Sequence, residues 1–313
     1  MDVSLRWKLL CHRIADANGR DMDAGNKAMP DNRSVKPEAT AARVALWRAI
    51  HVQVDASPPV FNDTIGLQLL DPPDGWRQRP DMDVAGTAGY RAGVVGRARF
   101  IEDLMLEQAR LGIDQYVILG AGLDTFAQRR ADTAASVRVF EVDQPGPQAW
   151  KRHRLVELGF GTPEWLKFVP VDFEAGQSWW NELLAAGFDV SRPAVVASTG
   201  VSMYLGRDAN IALLRQVAQL APGSTLAMTF LLPLELIDAQ ERPHHQALHE
   251  RARAAGTPFL SFFTPADMLA LANEAGFGKA AHISTADLTR RYFADRTDGL
   301  KPTHGESFLV AVT

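Results

Sequence analysis

The chain has 313 residues, of which 46% are hydrophobic and 22% charged, and this excludes collagen-like, coiled-coil and wholly disordered classes. Lys and Arg total 33 against 37 Asp and Glu, a net charge of −4, which argues against a generally basic nucleic-acid or anionic-membrane binder. The single cysteine, Cys11, can form neither an intrachain disulfide nor a cysteine-based zinc cluster, and fits a reducing, cytoplasmic setting.

The length allows about two domains, or one large α/β domain with an added cap. No stretch reaches the roughly 18 apolar residues of a bilayer span. Met1–Cys11, interrupted by Arg6 and Lys8, lacks the apolar core of a signal peptide. Residues 1–35, with Gly19, Gly25 and Pro30 and few large apolar side chains, read as a flexible N-terminal tail, within which Met22 and Met29 are alternative starts. Residues 36–90 read as a helical cap. Its first helix runs over Lys36–Val54 with a face of Val44, Trp47 and Ile50, and a short helix over Asp63–Leu70 lies between Pro58-Pro59 and Pro72-Pro73. Trp47 and Trp76 are cap aromatics, better read as packing than as pocket lining.

From Arg91 the pattern alternates. A long amphipathic helix, Arg91–Leu111, ends at Gly112. Short apolar runs at Gln115–Leu119, Val137–Val142, Phe168–Val171, Ala194–Ala197 and Thr225–Phe230 are separated by helical stretches. Later elements are a polar helix near His244–Ala255, a helix over Pro265–Ala275, and strands over Lys279–Ile283 and Glu306–Val312. Strands spaced this way imply βαβ units and a mostly parallel, buried sheet. The core is therefore expected over 91–313, with a cap insertion at about 231–264.

The sharpest motif is Leu119-Gly120-Ala121-Gly122-Leu123-Asp124-Thr125, directly after the first strand. Glycines there let the backbone turn tightly and approach a ligand at the carboxyl edge of the sheet. Glu141 and Asp143 lie about twenty positions beyond, where an acidic residue can accept from ribose hydroxyls. A dinucleotide fingerprint would place a third glycine where this chain has Thr125, and Asp124 adds negative charge where phosphates would sit. The loop instead suits S-adenosylmethionine, which carries an adenosine, an ammonium and a sulfonium but no phosphate.

QYVILGAGLDT (Gln115–Thr125) with FEVDQP (Phe140–Pro145) resembles the leucine carboxyl methyltransferase family, and more closely its bacterial branch of S-adenosylmethionine-dependent O-methyltransferases. Gly96–Asp103, Pro170–Phe173, Gly200–Leu205, Ser261–Pro265 and Arg291–Phe293 extend the resemblance over about residues 36–313. It implies the class I methyltransferase fold, a Rossmann-like, mostly parallel seven-stranded sheet with helices on both faces and a helical cap. It also implies that Arg97 binds the methionine carboxylate, Asp124 lies near the ammonium, and Glu141 or Asp143 holds the ribose. Asp172 and Phe173 would border the adenine. The family pattern has a glutamate where this chain has Thr199, which implies a retuned site in which Ser198 and Thr199 offer hydroxyls.

An activated sulfonium methyl mainly requires an acceptor oxygen held in line with it. A carboxylate acceptor needs no base, whereas a hydroxyl benefits from one. Tyr204 is the candidate for orienting the acceptor. His245 and His249 have a spacing that can hold a metal, but no third ligand is evident; the polar segment reads as a solvated cap helix, able at most to lend a base. No metal site is expected. The expected activity is methyl transfer to a carboxylate or hydroxyl of a small-molecule acceptor, with protein C-terminal carboxyl methylation and non-catalytic cofactor binding as the other readings.

Overall fold

The computed structural model describes residues 37–173 and 175–313, so the expected tail and Cys11 lie outside the described residues. Seven strands form one sheet: β1 (Gln115–Leu119), β2 (Arg138–Asp143), β3 (Leu166–Pro170), β4 (Val195–Ser198), β5 (Thr225–Leu231), β6 (Lys279–Ile283) and β7 (Glu306–Val312). Their order is β3-β2-β1-β4-β5-β7-β6. β1 to β5 pair in parallel, while β7 runs antiparallel between β5 and β6. Every residue of β1 and β4 is buried, as expected where both faces of a parallel sheet are covered by helices.

The helices are α1 (Ala39–Val54), α2 (Ile65–Leu70), α3 (Ala88–Arg110), α4 (Phe126–Arg129), α5 (Ala131–Ala134), α6 (Pro145–Glu157), α7 (Trp179–Ala185), α8 (Arg207–Val217), α9 (Arg242–Ala254), α10 (Pro265–Ala275) and α11 (Thr285–Tyr292). Alternation along β1 sends Val117 and Leu119 into a core shared with α7, α8 and α10. Tyr116 and Ile118 enter a second core with α3 and Leu288 of α11. Among the described residues no helix is long and apolar enough to cross a membrane.

Strands β1, β6 and β7 fall where the sequence places them, and β2 to β5 shift by one or two residues. Helix α11 was not anticipated. Its start is fixed by a capping box in which Ser284 and Asp287 satisfy each other's backbone N–H groups.

The N-terminal cap lies over the carboxyl ends of the central strands. Leu46, Ile50 and Met82 pack with Trp76 there. A buried clamp joins the end of α1 to α3: the Arg91 guanidinium donates from Nε and Nη2 to Asp55, each at 2.7 Å. His51 Nε2 accepts from Val60 N at 2.9 Å, so its Nδ1 donates to Asp55 at 2.8 Å. Burial works to raise the Asp55 carboxyl, but Arg91 and His51 outweigh it and hold the group at about 2, below its ordinary 3.8. A depressed carboxyl contributes stability above its unfolded pKa and loses it as pH falls through the folded one. Urea unfolding between pH 5 and pH 2.5 is therefore expected to show an acid-side loss of stability that Arg91→Met reduces; an unchanged acid limb would count against the clamp.

Candidate active site

Where the strand order reverses, β1 and β4 separate their following loops and leave a crevice at the carboxyl edge. A chamber of about 900 Å³ opens there beneath the cap. The loop after β1 forms its floor. Gly120 N and Ala121 N donate to Val142 O at 2.9 and 3.1 Å, which bends the chain back over the end of β2. Gly120 has φ +68°, and a Cβ there would lie 2.5 Å from Val201 Cγ2, so the turn and the approach of the β4 loop both require glycine.

Arg97, Gly120, Ala121, Gly122, Asp124, Asp143, Phe173, Thr199 and Tyr204 all line this chamber. Asp143 accepts from Gly122 N and, through Oδ1, from Gln144 N at 2.7 Å. Burial pushes its carboxyl up against the pull of those two donors. Asp124 Oδ1 accepts from Phe126 N at 2.8 Å, which turns the chain into α4.

Glu141 does not line the chamber, which corrects its placement as an alternative ribose ligand. Its side chain turns toward α6, where it is 1% exposed and its Oε2 accepts from Lys151 Nζ at 2.6 Å. Burial raises its carboxyl to about 7 against the pull of Lys151. Asp172 also stays out of the wall. Its Oδ1 accepts from Ala175 N at 2.9 Å and its N donates to Gln177 Oε1 at 2.7 Å, so it shapes the loop that carries Phe173 and Gln177 into the chamber. Ser198 is buried within β4, and Thr199 alone of that pair reaches the wall.

Two further features come only from the fold. Arg97 Nη1 donates to both carboxylate oxygens of Glu306, at 2.9 and 3.0 Å, and its guanidinium lies over Gly200. The two residues are 209 positions apart, and no local pattern joins them. Secondly, α9 is not simply solvated: His245 is only 5% exposed, and His245 and His249 both line the chamber. Among the described residues no group of three metal-ligating side chains is assembled. Tyr204 lies beside Phe259, with ring centroids 5.6 Å apart. Burial raises its phenol, opposed by a hydrogen bond with Thr40 of α1, so it is a donor rather than a base at neutral pH.

Residues 41–218, more than half of the chain, match the family model described as leucine carboxyl methyltransferase. The chain belongs to the leucine carboxyl methyltransferase family. Among similar family proteins, YktD of Bacillus subtilis, named as a candidate S-adenosyl-L-methionine-dependent methyltransferase, is 31% identical over 70% of this chain and 71% of its own length. A Mycolicibacterium gilvum protein with the same designation is 32% identical over 88% of this chain and 93% of its own length. One from Mycolicibacterium smegmatis is 35% identical, over 61% and 59% respectively. The structure of a candidate methyltransferase from Thermobifida fusca superposes with a TM-score of 0.55 at 18% identity, covering 91% of this chain and 97% of that one. The fold is that of class I methyltransferases.

The buried Glu141–Lys151 pair ties β2, which ends in Asp143, to α6, and removing one partner of a buried pair costs about 3–5 kcal/mol. Lys151→Met is expected to destabilise by that order. A carboxyl whose folded pKa is raised loses stability as pH rises from its unfolded value through the folded one, so the loss is expected to be larger at pH 8 than at pH 5. Chemical denaturation at both pH values checks this, and an equal loss would remove Glu141 as its cause.

Proposed function

We propose that this family member methylates an oxygen of a small molecule held in the chamber beneath its cap. It is an S-adenosylmethionine-dependent methyltransferase. The observation that carries the finer reading is the chamber itself. At about 900 Å³ it lies at the upper end of the roughly 300–1,000 Å³ range of ligand pockets, and the cap covers it. A protein C-terminus would call for an open groove.

The residues present fit the cofactor. Asp143, held at the Gly120–Gly122 turn, offers a carboxylate acceptor for the ribose hydroxyls, and Phe173 offers a ring face for the adenine. Arg97 and Glu306 present a cation and an anion side by side, the complement of an amino-acid zwitterion. In this reading Arg97 takes the carboxylate, and Glu306 with Asp124 supplies negative charge for the ammonium. Thr199 contributes a hydroxyl at the same end. When bound, S-adenosylmethionine supplies an activated methyl group. The protein's task is then to hold an oxygen about 3–3.5 Å from it and in line, with Tyr204 donating a hydrogen bond to orient the acceptor and the cap excluding water.

Titration calorimetry tests the cofactor half. Hydrogen bonds to charged groups are worth about 1.5–3 kcal/mol, so Arg97→Met and Asp143→Asn are each expected to weaken S-adenosylmethionine roughly 10- to 100-fold. 5′-Methylthioadenosine, which lacks the amino-acid tail, is expected to lose affinity only with Asp143→Asn. Transfer of labelled methyl into a panel of small molecules tests the acceptor half, since methyl esters release methanol in alkali and methyl ethers do not. Unchanged affinity in both variants would reject the residue assignments, and label found only in protein would reject the small-molecule acceptor.

A further inference from the structure

Among the described residues, four polar atoms of chamber-lining side chains are buried without a hydrogen-bond partner; Arg48 Nε and His304 Nδ1 lie at ion-pair distance from Asp63 and Asp238, which leaves His245 Nε2 and the Tyr90 hydroxyl. Buried polar groups are almost always satisfied, so two orphans in one place call for an explanation. They sit together, with the Tyr90 and His245 rings 5.9 Å apart and edge-on, and both residues line the chamber. Tyr90 comes from α3 and His245 from α9, which puts the pair where the two parts of the cap meet.

The imidazole is held in place. A Cβ on Gly305, which has φ +116°, would lie 2.4 Å from His245 Cε1, so the ring packs directly on that backbone. The His304 backbone hydrogen-bonds to the ring, and since Nε2 has no partner, that bond falls to Nδ1. A neutral imidazole donating from Nδ1 presents a lone pair at Nε2. Gly305 is followed by Glu306, which binds Arg97, which in turn lies over Gly200. His245 is thus adjacent to the charged end of the chamber rather than to Asp143 and Phe173.

We infer that His245 and Tyr90 form the acceptor subsite, with His245 Nε2 as the general base for the hydroxyl of a planar aromatic acceptor. This rests on the methyltransferase reading above and names its substrate class. An acceptor hydroxyl satisfies both orphans at once, donating to Nε2 and accepting from Tyr90. A carboxylate satisfies only Tyr90 and sets its negative charge against the Nε2 lone pair. Flat walls favour an aromatic acceptor: Trp47 stacks on Tyr90 at 6.2 Å and 12°, and the Phe259 ring lies 5.6 Å from Tyr204 and 5.4 Å from His249.

In the step, His245 takes the hydroxyl proton while the oxygen takes the methyl group, the carbon–sulfur electron pair stays on sulfur, and the imidazolium later releases its proton to solvent. Burial, with His249 and His244 on the same helix, lowers the His245 pKa from 6.5, and Glu241 and the His304 bond oppose that shift. Tyr90 faces the ring from α3 with its own phenol raised by burial. From the segment before β7, the His304 side chain is paired with Asp238. An imidazole held below its ordinary range is available as a base at neutral pH, and kcat/KM is expected to fall on the acid side.

The test uses two probes of one shape, 2-hydroxyanthraquinone and anthraquinone-2-carboxylate, with labelled S-adenosylmethionine and the full chain. Wild type is expected to methylate the hydroxyl probe. His245→Gln is expected to lower kcat about 100-fold or more, with cofactor affinity within about twofold. That loss should shrink as pH passes the probe's own ionisation. Tyr90→Phe is expected to raise KM several-fold with a smaller change in kcat. Without cofactor, the visible band of bound 2-hydroxyanthraquinone is expected to show more phenolate in wild type than in His245→Gln. Preferential methylation of the carboxylate probe leaves small-molecule O-methylation standing and overturns the hydroxyl assignment. Cofactor binding with neither probe methylated, or equal rates and equal phenolate in wild type and His245→Gln, overturns the base as well.

Discussion

The buried carboxylate of Asp63 fastens the roof of the chamber to its floor. It is 1% exposed, its Oδ2 accepts from Thr125 Oγ1 at 2.7 Å, and Arg48 Nε lies 2.7 Å away. Arg48 also donates to Leu123 O at 2.6 Å, within the glycine-containing loop. Arg129 reaches the same hub through Thr125 and continues to the buried Glu102 of α3. Burial disfavours the Asp63 charge, yet Arg48 and Arg129 hold its carboxyl below the ordinary range. A buried charge without its partners costs several kcal/mol, so the α1–α2 layer cannot lift from the loop without uncovering ions on both sides. Cap and cofactor loop are therefore held in one geometry by electrostatics rather than by apolar area alone.

That constraint divides the chamber. Its inner end, at the carboxyl edge of β1, β2 and β4, gathers charge: Asp143, Asp124, Arg97 and Glu306. Its outer end is walled by Trp47, Tyr90, Phe259 and the imidazoles of α9. Charged ligand groups lose least where fixed dipoles and counter-ions replace water, and flat apolar groups gain most against rings. Under the proposed reading, the zwitterionic cofactor and an aromatic acceptor would take these two physically distinct ends, meeting near Gly305 and Glu306.

Legibility from sequence followed the range of each interaction. The β1 strand and the Gly120-Ala121-Gly122 loop were readable because apolar runs and turn glycines are local signals, and α10 was readable from Pro265 and Gly276. Residue spacing alone left Glu141 and Asp143 equivalent, since both lie about twenty positions beyond the loop; only the location of Lys151 on α6 turns Glu141 away from the chamber. The burial of His245 was hidden for a related reason. Helix α9 carries few apolar side chains, and its one buried residue is covered by Gly305 and Tyr90, both remote in sequence. Glu306 read as the first residue of a strand, and its pairing with Arg97 exists only once β7 lies beside β5.

The cap is built from two separate stretches, α1 to the start of α3 and the segment around α9, and each lines the outer end of the chamber. Neither stretch supplies Asp143 or the Gly120 loop. Substitutions in α9 or at Phe259 can therefore reshape the outer wall while the inner end, fixed by β1, β2 and the Asp63 hub, keeps its geometry. The opposite does not hold, because a change at Gly120 or Asp63 moves the floor and the roof together. Thr199 fits this division. It lies at the inner end beside Gly200, against which Arg97 rests, and Glu306 already places an acidic group on that arginine from β7, beyond β5 in the sheet. Charge at the inner end is thus supplied from β7, leaving the residue after β4 free to be an uncharged hydroxyl.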